Sequence, residues 1–292
     1  MKSTSPKESK RSPIRFSVGF LNNPALFTAG NMAYSDFYQL RIPGYRLFVV
    51  TDPQVIRHIL VQQKAKYQKS KMYWKQLRAI IGRGMGSLDG EEWLFLRKLQ
   101  NPYFLKSRVS QYLETVPPAT EIHLQQWRQW SGQTIDIIPL ISRLNTQILL
   151  QCLFGMQAAD SYAEIARRIA DGQATISWRS KYPWRPMTGW LNGRNQRAQQ
   201  HLNFFDRFLE DQLSRIDPEA DNLFNALHQS PQLQPTDLRN ELIIHLGAGT
   251  ETAAVSEAWA LYLLAKNPDI LGRVRKEISD LAGDQPLQAQ HA

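Results

Sequence analysis

One long helical pattern constrains the fold of this chain more than any other feature of its sequence. The segment from Asp237 to Lys266 places apolar side chains at helical spacing, and Asn267-Pro268 closes it. A helix of this length spans roughly 45 Å. The segment is therefore long enough to cross a whole domain.

The rest of the chain predicts a mainly α protein with a small N-terminal β element. Tyr45 to Thr51 is the best strand candidate, and Asp52-Pro53 begins a helix that runs to about Lys64. The first fifteen residues are rich in Lys, Ser and Pro, which predicts a disordered basic tail over 1–15 and one domain over 16–292. Helical spacing recurs in Glu91–Gln100, Ser107–Ser131, Ile137–Phe154, Ser161–Ala174 and Arg194–Ile216.

The charge is unevenly divided along the chain. Its 292 residues include 35 Lys and Arg and 26 Asp and Glu, a net charge of +9. Residues 1–110 hold 19 of the basic and 6 of the acidic side chains, which leaves 16 and 20 for the remainder. The front third is either an ordinary solvated surface or a docking surface for nucleic acid, anionic lipid or an acidic protein.

The single cysteine, Cys152, excludes an intramolecular disulfide and a cysteine-rich zinc or iron–sulfur site within this chain. It is compatible with a reducing compartment. The longest apolar stretch, Leu242 to Ala265, carries His245, Glu251 and Glu257, and charged groups are costly at bilayer depth. The sequence therefore predicts a cytoplasmic protein without a membrane span or a signal peptide.

Glycine-rich segments do not match nucleotide-binding patterns. Gly82-Arg-Gly84-Met-Gly86 lacks the Gly-Lys-Ser/Thr of a phosphate-binding loop. Gly247-Ala-Gly249 lies inside a helical pattern rather than after a strand. Neither segment predicts a nucleotide site.

The middle of the long helix interrupts its apolar stripe with a polar notch, residues 247–252, which read Gly-Ala-Gly-Thr-Glu-Thr. Each interior glycine costs about 1 kcal/mol relative to alanine. Such glycines indicate close approach of a flat group or a local widening of the helix. From the residues alone, the notch is either a site that moves protons or a kinked core helix. In the second case the Thr252 hydroxyl bonds back to the carbonyl four residues earlier.

Residues 248–252, Ala-Gly-Thr-Glu-Thr, resemble the oxygen-binding helix motif of the cytochrome P450 family, the haem-thiolate monooxygenases. A second match precedes it in the expected order: Trp93 and Arg97 resemble the family's Trp-x-x-x-Arg helix, with Pro102-Tyr-Phe104 after it. Weaker similarities are Thr51-Asp52-Pro53, Leu153-Phe154-Gly155 and Leu261 to Pro268. The chain is identified as a member of this family over about residues 40–280.

The resemblance implies a cofactor site for haem. Trp93 and Arg97, one helical turn apart, would bind a haem propionate, for which the planar guanidinium of arginine is suited. Ala248 and Gly249 would leave room above the haem iron for dioxygen. No residue of this chain is expected to ligate a metal.

The resemblance also implies two catalytic residues, Glu251 and Thr252, which would deliver protons during oxygen activation. Ala253 departs from the family, where a second Thr or Ser often follows the threonine. The implied reaction is the monooxygenation of a small apolar organic substrate with dioxygen. Lys71 to Leu88 and Trp178 to Trp190 correspond to regions that cover the family's substrate pocket.

An acidic ferredoxin- or flavodoxin-like electron donor is the partner implied by the family. Basic side chains on and after the Trp-x-x-x-Arg helix would form its docking face, namely Arg97, Lys98, Lys106 and Arg108. Nucleic acid is the competing use of this charge, and it would show a steep salt dependence.

The family's later motifs do not follow Thr252: neither the Glu-x-x-Arg helix nor the cysteine loop that supplies the axial thiolate is present. Cys152 lies among apolar residues in a helical pattern and reads as an inert buried thiol. The expectation is a truncated cytochrome P450 fold that is inactive by itself. It would belong to a split protein completed by a complementary C-terminal chain, or be a non-catalytic remnant that binds a hydrophobic ligand or a partner.

Overall fold

The computed structural model describes residues 7–8, 36–42, 45–69, 77–78, 80–181 and 194–283. The chain divides into two compact units, Met1–Ser70 and Lys71–Ala292. The described strands lie in the first unit, and long helices make up most of the second. This confirms the predicted fold class, mainly α with a small N-terminal β element.

The first unit contains a three-stranded sheet in the order β1 (Lys7–Glu8), β2 (Phe37–Ile42) and β3 (Tyr45–Val50). Strand β2 pairs in parallel with β1 and antiparallel with β3. The predicted strand at Tyr45 is present, whereas β2 was not predicted. Apart from β1, the predicted disordered tail lies outside the described residues.

Helix α1 (Pro53–Arg57) follows the sheet, and the Asp52 carboxylate caps it by accepting hydrogen bonds from the amides of Gln54 and Val55. The expected regular helix to Lys64 is wrong beyond Arg57. The chain continues as a π-helical turn, His58–Gln62, and a 3-10 turn, Lys64–Lys66.

The described part of the second unit consists mainly of helices. The prediction of one helix over 107–131 is wrong, because two prolines, Pro117 and Pro118, occupy the first turn of a new helix, where backbone N–H groups have no intrahelical partner. Its described helices include α2 (Gly90–Gln100), α3 (Lys106–Tyr112), α4 (Val116–Arg128), α5 (Ile137–Phe154), α6 (Tyr162–Lys181), α7 (Arg194–Leu213), α8 (Leu223–His228), α9 (Pro235–Lys266) and α10 (Pro268–Ala282).

Helix α9 is the predicted long helix, and it begins two residues earlier than expected. A reciprocal capping box between Gln234 and Asp237 satisfies its first amides, and Pro235 occupies the first helical position. Its 32 residues span about 48 Å. It packs most extensively on α5 and also contacts α6, α7 and α8.

The core of the second unit lies between α5, α6 and α9. Helix α5 ends at Gly155, which adopts a φ of 64° that favours glycine. Among the described residues, α5 is also the one helix that is long and apolar enough to cross a membrane, and half of it is buried inside the protein. The most buried side chains of α5 belong to the core of the second unit. That core includes side chains from several helices, each 0% exposed: Leu150, Ile165, Phe205, Leu223 and Leu246.

A buried polar network joins α2, α9 and the loop formed by residues 82–88. The fully buried Glu241 carboxylate accepts hydrogen bonds from the Met85 amide (2.6 Å) and from Gln100 Nε2 (2.8 Å). The Gln100 amide oxygen lies 2.7 Å from His245 Nε2, one turn further along α9. The network therefore fixes the end of α2 against α9.

Burial shifts the pKa values of both ionisable groups in this network towards their neutral forms. It raises the pKa of Glu241 to about 6, although the bonds from Gln100 and Met85 oppose the shift. It lowers the pKa of His245 to about 4. At neutral pH, Glu241 is thus a carboxylate that accepts two bonds, and neutral His245 donates to Gln100.

The 82–88 loop approaches α9 closely at Gly82, whose φ of 69° is in the left-handed region. A Cβ at this position would collide with the side chain of Asn240. Asn240 in turn donates a hydrogen bond from Nδ2 to the Arg83 carbonyl (2.9 Å). Glycine at 82 is therefore required both by backbone conformation and by space.

Replacing Gly82 by alanine should destabilise the protein more than the same change at Gly132. Both glycines have positive φ, which costs an L residue about 1–2 kcal/mol, but nothing lies within 4 Å of a Cβ at Gly132. Only Gly82→Ala also displaces Asn240 from the Arg83 carbonyl. Urea denaturation measures the free energy of unfolding of both variants. Equal losses of this free energy would contradict the close approach of Gly82 to Asn240.

The free energy of unfolding should fall as the pH is lowered from 6.5 to about 4. Folded His245 resists protonation until about pH 4, whereas the unfolded chain binds that proton near pH 6.5. For His245 alone this corresponds to about 3 kcal/mol. Glu241 has a smaller opposite effect between pH 4.5 and 6, because its raised pKa keeps a proton that the unfolded chain has released.

The control for this pH dependence is an exposed histidine, His228. Denaturation between pH 4 and 7 should show a flatter slope for His245→Gln and an unchanged slope for His228→Gln. The slope is the test, since His245→Gln also loses packing against Phe104 and Phe154. Parallel curves for the wild type and His245→Gln would show that His245 does not carry the effect.

Candidate functional site

The notch in α9 has two successive backbone carbonyls that accept bonds from side chains. Gln173 Nε2 on α6 donates to the Gly247 carbonyl (2.7 Å), and the Thr252 hydroxyl donates to the Ala248 carbonyl (2.6 Å). The back-bond considered for a kinked core helix is therefore present. Ala248 and Thr252, one turn apart, are both exposed, so they form an open face on one side of α9.

Gly249 lies on a different side of α9, against α5. A Cβ at Gly249 would be 2.7 Å from Leu149 Cδ1. The glycine therefore allows close packing of two helices. Next to it, Thr250 is 1% exposed, and its hydroxyl has no hydrogen-bond partner within the described part of the chain.

Glu251 is half-buried and comes directly after Gly249 and Thr250, the packed residues of the helix. Neighbouring helical residues do not face each other, so Glu251 and Thr252 point in different directions. The structure shows no hydrogen bond from a described residue to the Glu251 carboxylate. The two predicted catalytic residues thus differ: the Thr252 hydroxyl is engaged as a donor, and the Glu251 oxygens are available.

Trp93 and Arg97 lie one turn apart on α2, as predicted. Trp93 is half-buried against the core, and Arg97 is exposed, without an ion pair to any described side chain. One turn beyond Arg97, Gln100 bonds to Glu241, and His245 of the same network precedes the notch on α9. The structure therefore anchors both groups of predicted site residues to one buried network.

A cavity of about 190 Å³ lies beside the notch. It is bounded by α6, α7, α9 and the segment before the 82–88 loop, and Gly247 and Ala248 form part of its wall. In the described part of the lining, two side chains are polar, Gln173 and His201. The apolar lining includes Ile80, Ile81, Ile169, Ile176, Ile243 and Ile244.

The segments expected to cover a substrate pocket are described only in part. Residues 77–78 and 80–88 are described, and Leu77 and Gly86 line the cavity. The side chains of Met72, Trp74, Trp178 and Trp184 lie outside the described residues.

His201 was not predicted as a site residue, although a sequence signal was available. It begins an apolar stripe on α7 with Phe205 and Phe208, at helical spacing. Burial, helped by the nearby charge of Arg168, lowers the pKa of His201 to about 4. The imidazole is therefore neutral at physiological pH. Glu241 and Gln100 were missed because only the packing of distant segments makes them partners.

Cys152 lies half-buried on α5, and its Sγ is 3.5 Å from the Tyr112 carbonyl oxygen. Burial raises the pKa of this thiol. A protonated thiol that donates to a backbone carbonyl is a poor metal ligand, since ligation requires the thiolate. Within the described ranges, no three His, Cys, Asp or Glu side chains are placed to hold a metal ion.

The basic surface expected to receive a partner is smaller than the sequence indicated. Arg108 forms an ion pair with Asp221 and lies over the Tyr103 ring, 5.7 Å from its centroid. Lys98 and Lys106 are exposed and have no ion pair with a described side chain. The unpaired charge is therefore carried by these lysines and by Arg97.

Comparison with known proteins supplies the family. Pentalenene oxygenase of Streptomyces avermitilis is 21% identical over 274 residues, which cover 91% of this chain and 60% of that protein. Cytochrome P450 4X1 of Mus musculus is 26% identical over 269 residues, which cover 83% of this chain and 52% of that protein. This chain thus spans between about half and three-fifths of the length of these relatives.

A solved structure shares the fold. The crystal structure of the cytochrome P450DA heme domain superposes with a TM-score of 0.79 at 17% identity, over 98% of this chain and 66% of that one. The family model described as Cytochrome P450 matches residues 6–292. Because that match covers nearly the whole sequence, this chain belongs to the cytochrome P450 family.

Proposed function

We propose that this chain forms one side of a haem monooxygenase site, with α2 at the edge of the haem and the notch of α9 over one face. The family consists of haem monooxygenases, and its cofactor is haem. The observation that carries the proposal is the network of Gln100, Glu241 and His245, because it fixes α2 against α9 beside both groups of site residues.

The residues on α2 fit the edge of a haem. The Arg97 guanidinium is exposed and without an ion pair in the described structure, so it is available to a carboxylate such as a propionate. Trp93 lies one turn earlier on the same side of the helix. Half-burial of Trp93 against the core would hold this edge in place.

The residues on α9 fit one face of a haem. Ala248 is small and exposed, which leaves the open side of the notch bare. Gly249 is occupied by contact with Leu149, so the space for dioxygen would lie over Ala248. When bound there, haem supplies the iron centre that activates dioxygen.

Thr252 and Glu251 would handle protons beside that space. The Thr252 hydroxyl donates to the Ala248 carbonyl, so its oxygen lone pairs can accept a hydrogen bond from a water molecule on the open face. The available Glu251 carboxylate can take a proton from the packed side and pass it on through water. The pair would thus connect the open face of α9 with its half-buried side.

The polypeptide of 292 residues would not catalyse monooxygenation by itself. Its one cysteine, Cys152, is a half-buried thiol bonded to the Tyr112 carbonyl, and it offers no thiolate. Thiolate ligation is what promotes O–O cleavage in this family. The thiolate would therefore have to come from outside these 292 residues.

A second candidate function is a non-catalytic module that binds hydrophobic ligands. The observation that favours it is the apolar cavity, whose described walls come from the second unit of this chain alone. Binding there requires neither the thiolate nor a further chain.

An acidic ferredoxin- or flavodoxin-like donor is the redox partner we propose, with the chain in the cytoplasm. Lys98 and Lys106 support this choice, because exposed unpaired lysines steer an acidic protein towards α2. Arg97 would be shared between the haem edge and this surface.

Replacing Arg97 by alanine should weaken haem binding by roughly tenfold to a hundredfold, since hydrogen bonds to charged groups contribute about 1.5–3 kcal/mol. Lys98→Ala is the matched control, because it removes one exposed charge from the same helix. Arg97→Lys should restore only part of the affinity, since an ammonium cannot form the bidentate contact. Absorbance titration with haem measures all three, and equal effects of Arg97→Ala and Lys98→Ala would contradict a propionate contact.

Reduction of the haem-loaded chain under carbon monoxide should not produce the absorption spectrum of thiolate ligation. The raised pKa and the helical position of Cys152 keep it from the iron. Cys152→Ser should therefore leave the haem affinity and the spectrum unchanged. A thiolate-type spectrum that is lost in Cys152→Ser, or substrate turnover by the chain alone, would overturn the proposed inactivity.

A further inference from the structure

The cavity beside the notch is suited to a small apolar molecule. Its volume is about 190 Å³, and most of its lining is isoleucine and leucine. For comparison, an apolar cavity of about 150 Å³ binds benzene. Space and lining alone therefore allow a molecule of about this size to enter.

One polar side chain in the described cavity wall has no hydrogen-bond partner among the described residues. His201 is 6% exposed, and neither Nδ1 nor Nε2 forms a hydrogen bond within the described structure. The Arg168 backbone approaches the ring without reaching hydrogen-bonding geometry, and a bond there would still leave one nitrogen unpaired. A buried polar group without a partner destabilises the fold, and a ligand that pairs with it removes that penalty.

The ring of His201 is held in position by its neighbours. It packs edge-on against Phe205, with ring centroids 5.0 Å apart. On the other helix, a Cβ at Gly172 would lie 3.2 Å from His201 Cε1, so the glycine within α6 makes room for the imidazole. A ring fixed in this way is a defined point of attachment rather than a mobile side chain.

The charge state of His201 restricts what it can bind. Burial keeps the imidazole neutral at pH 7, so it offers one N–H donor and one nitrogen acceptor. Both match an uncharged hydroxyl, and the donor matches a carbonyl. A carboxylate would need a cation to offset its desolvation, and the described lining contains no lysine or arginine.

We propose that His201 is the polar anchor of this cavity, and that the ligand is a small uncharged molecule with an apolar body and one hydroxyl or carbonyl oxygen. Anchoring at α7 would turn the apolar body towards the rest of the wall, which includes Ala248. That this ligand is the substrate rests on the proposed function. The anchor itself does not.

Phenol and toluene test the anchor, because they have nearly the same shape and differ in one hydroxyl. Calorimetric titration of the full chain without haem gives the ratio of their dissociation constants. In His201→Phe that ratio should shift by about fivefold against phenol, since a hydrogen bond contributes about 1 kcal/mol. His228→Phe, at an exposed site on α8, should leave the ratio unchanged.

A measurement on the wild type keeps the test decisive if His201→Phe fails to fold. In protein labelled with 15N in histidine, phenol should shift the His201 ring nitrogen resonances, and toluene should shift them much less. The anchor is overturned if neither compound binds, or if the phenol-to-toluene ratio is the same in the wild type and His201→Phe. Because haem is absent from both measurements, failure of the haem site would leave this result intact.

Discussion

A buried carboxylate holds this protein's second unit together at the place where its function is concentrated. Glu241 is fully buried, yet it keeps two hydrogen-bond donors, one from the loop amide of Met85 and one from Gln100 on α2. A buried charge is tolerated only when it is paired in this way. The consequence is geometric: the loop and α2 are fixed against α9, and His245 completes the connection two residues before the notch.

The notch is one motif in the sequence, but its residues do two different things in the fold: some pack against a neighbouring helix and others form an open surface. Gly249 serves the packing of α9 on α5, whereas Ala248 and Thr252 face the open side. Side-chain bonds to the Gly247 and Ala248 carbonyls stabilise the backbone between them. The motif thus acts as a structural joint as well as a candidate catalytic surface, and the two roles occupy different faces of one helix.

Much of the fold could be predicted because the patterns are local. The long helix, the helix over Ile137–Phe154 and the strand at Tyr45 follow from residue spacing and from capping residues near their ends. Predictions of helices and strands were wrong where their formation depends on more than the spacing of apolar residues. The apolar pattern over 107–131 continues through Pro117 and Pro118, yet the backbone restarts there as a separate helix. Strand β2 was missed because its pairing with β3 fixes it.

The order and type of the main elements and the residues of the two family motifs can be read from the sequence, since periodicity, capping and short motifs depend on neighbours along the chain. Which distant side chains become partners depends on how the chain packs. Gln100 and Glu241 are 141 residues apart, and neither has a local pattern that marks it. The spacing of His201 with Phe205 and Phe208 indicates a buried helix face, but only the fold shows that its imidazole has no hydrogen-bond partner in the described structure. Which polar groups find partners is a property of the packed chain, so no spacing rule could reveal it.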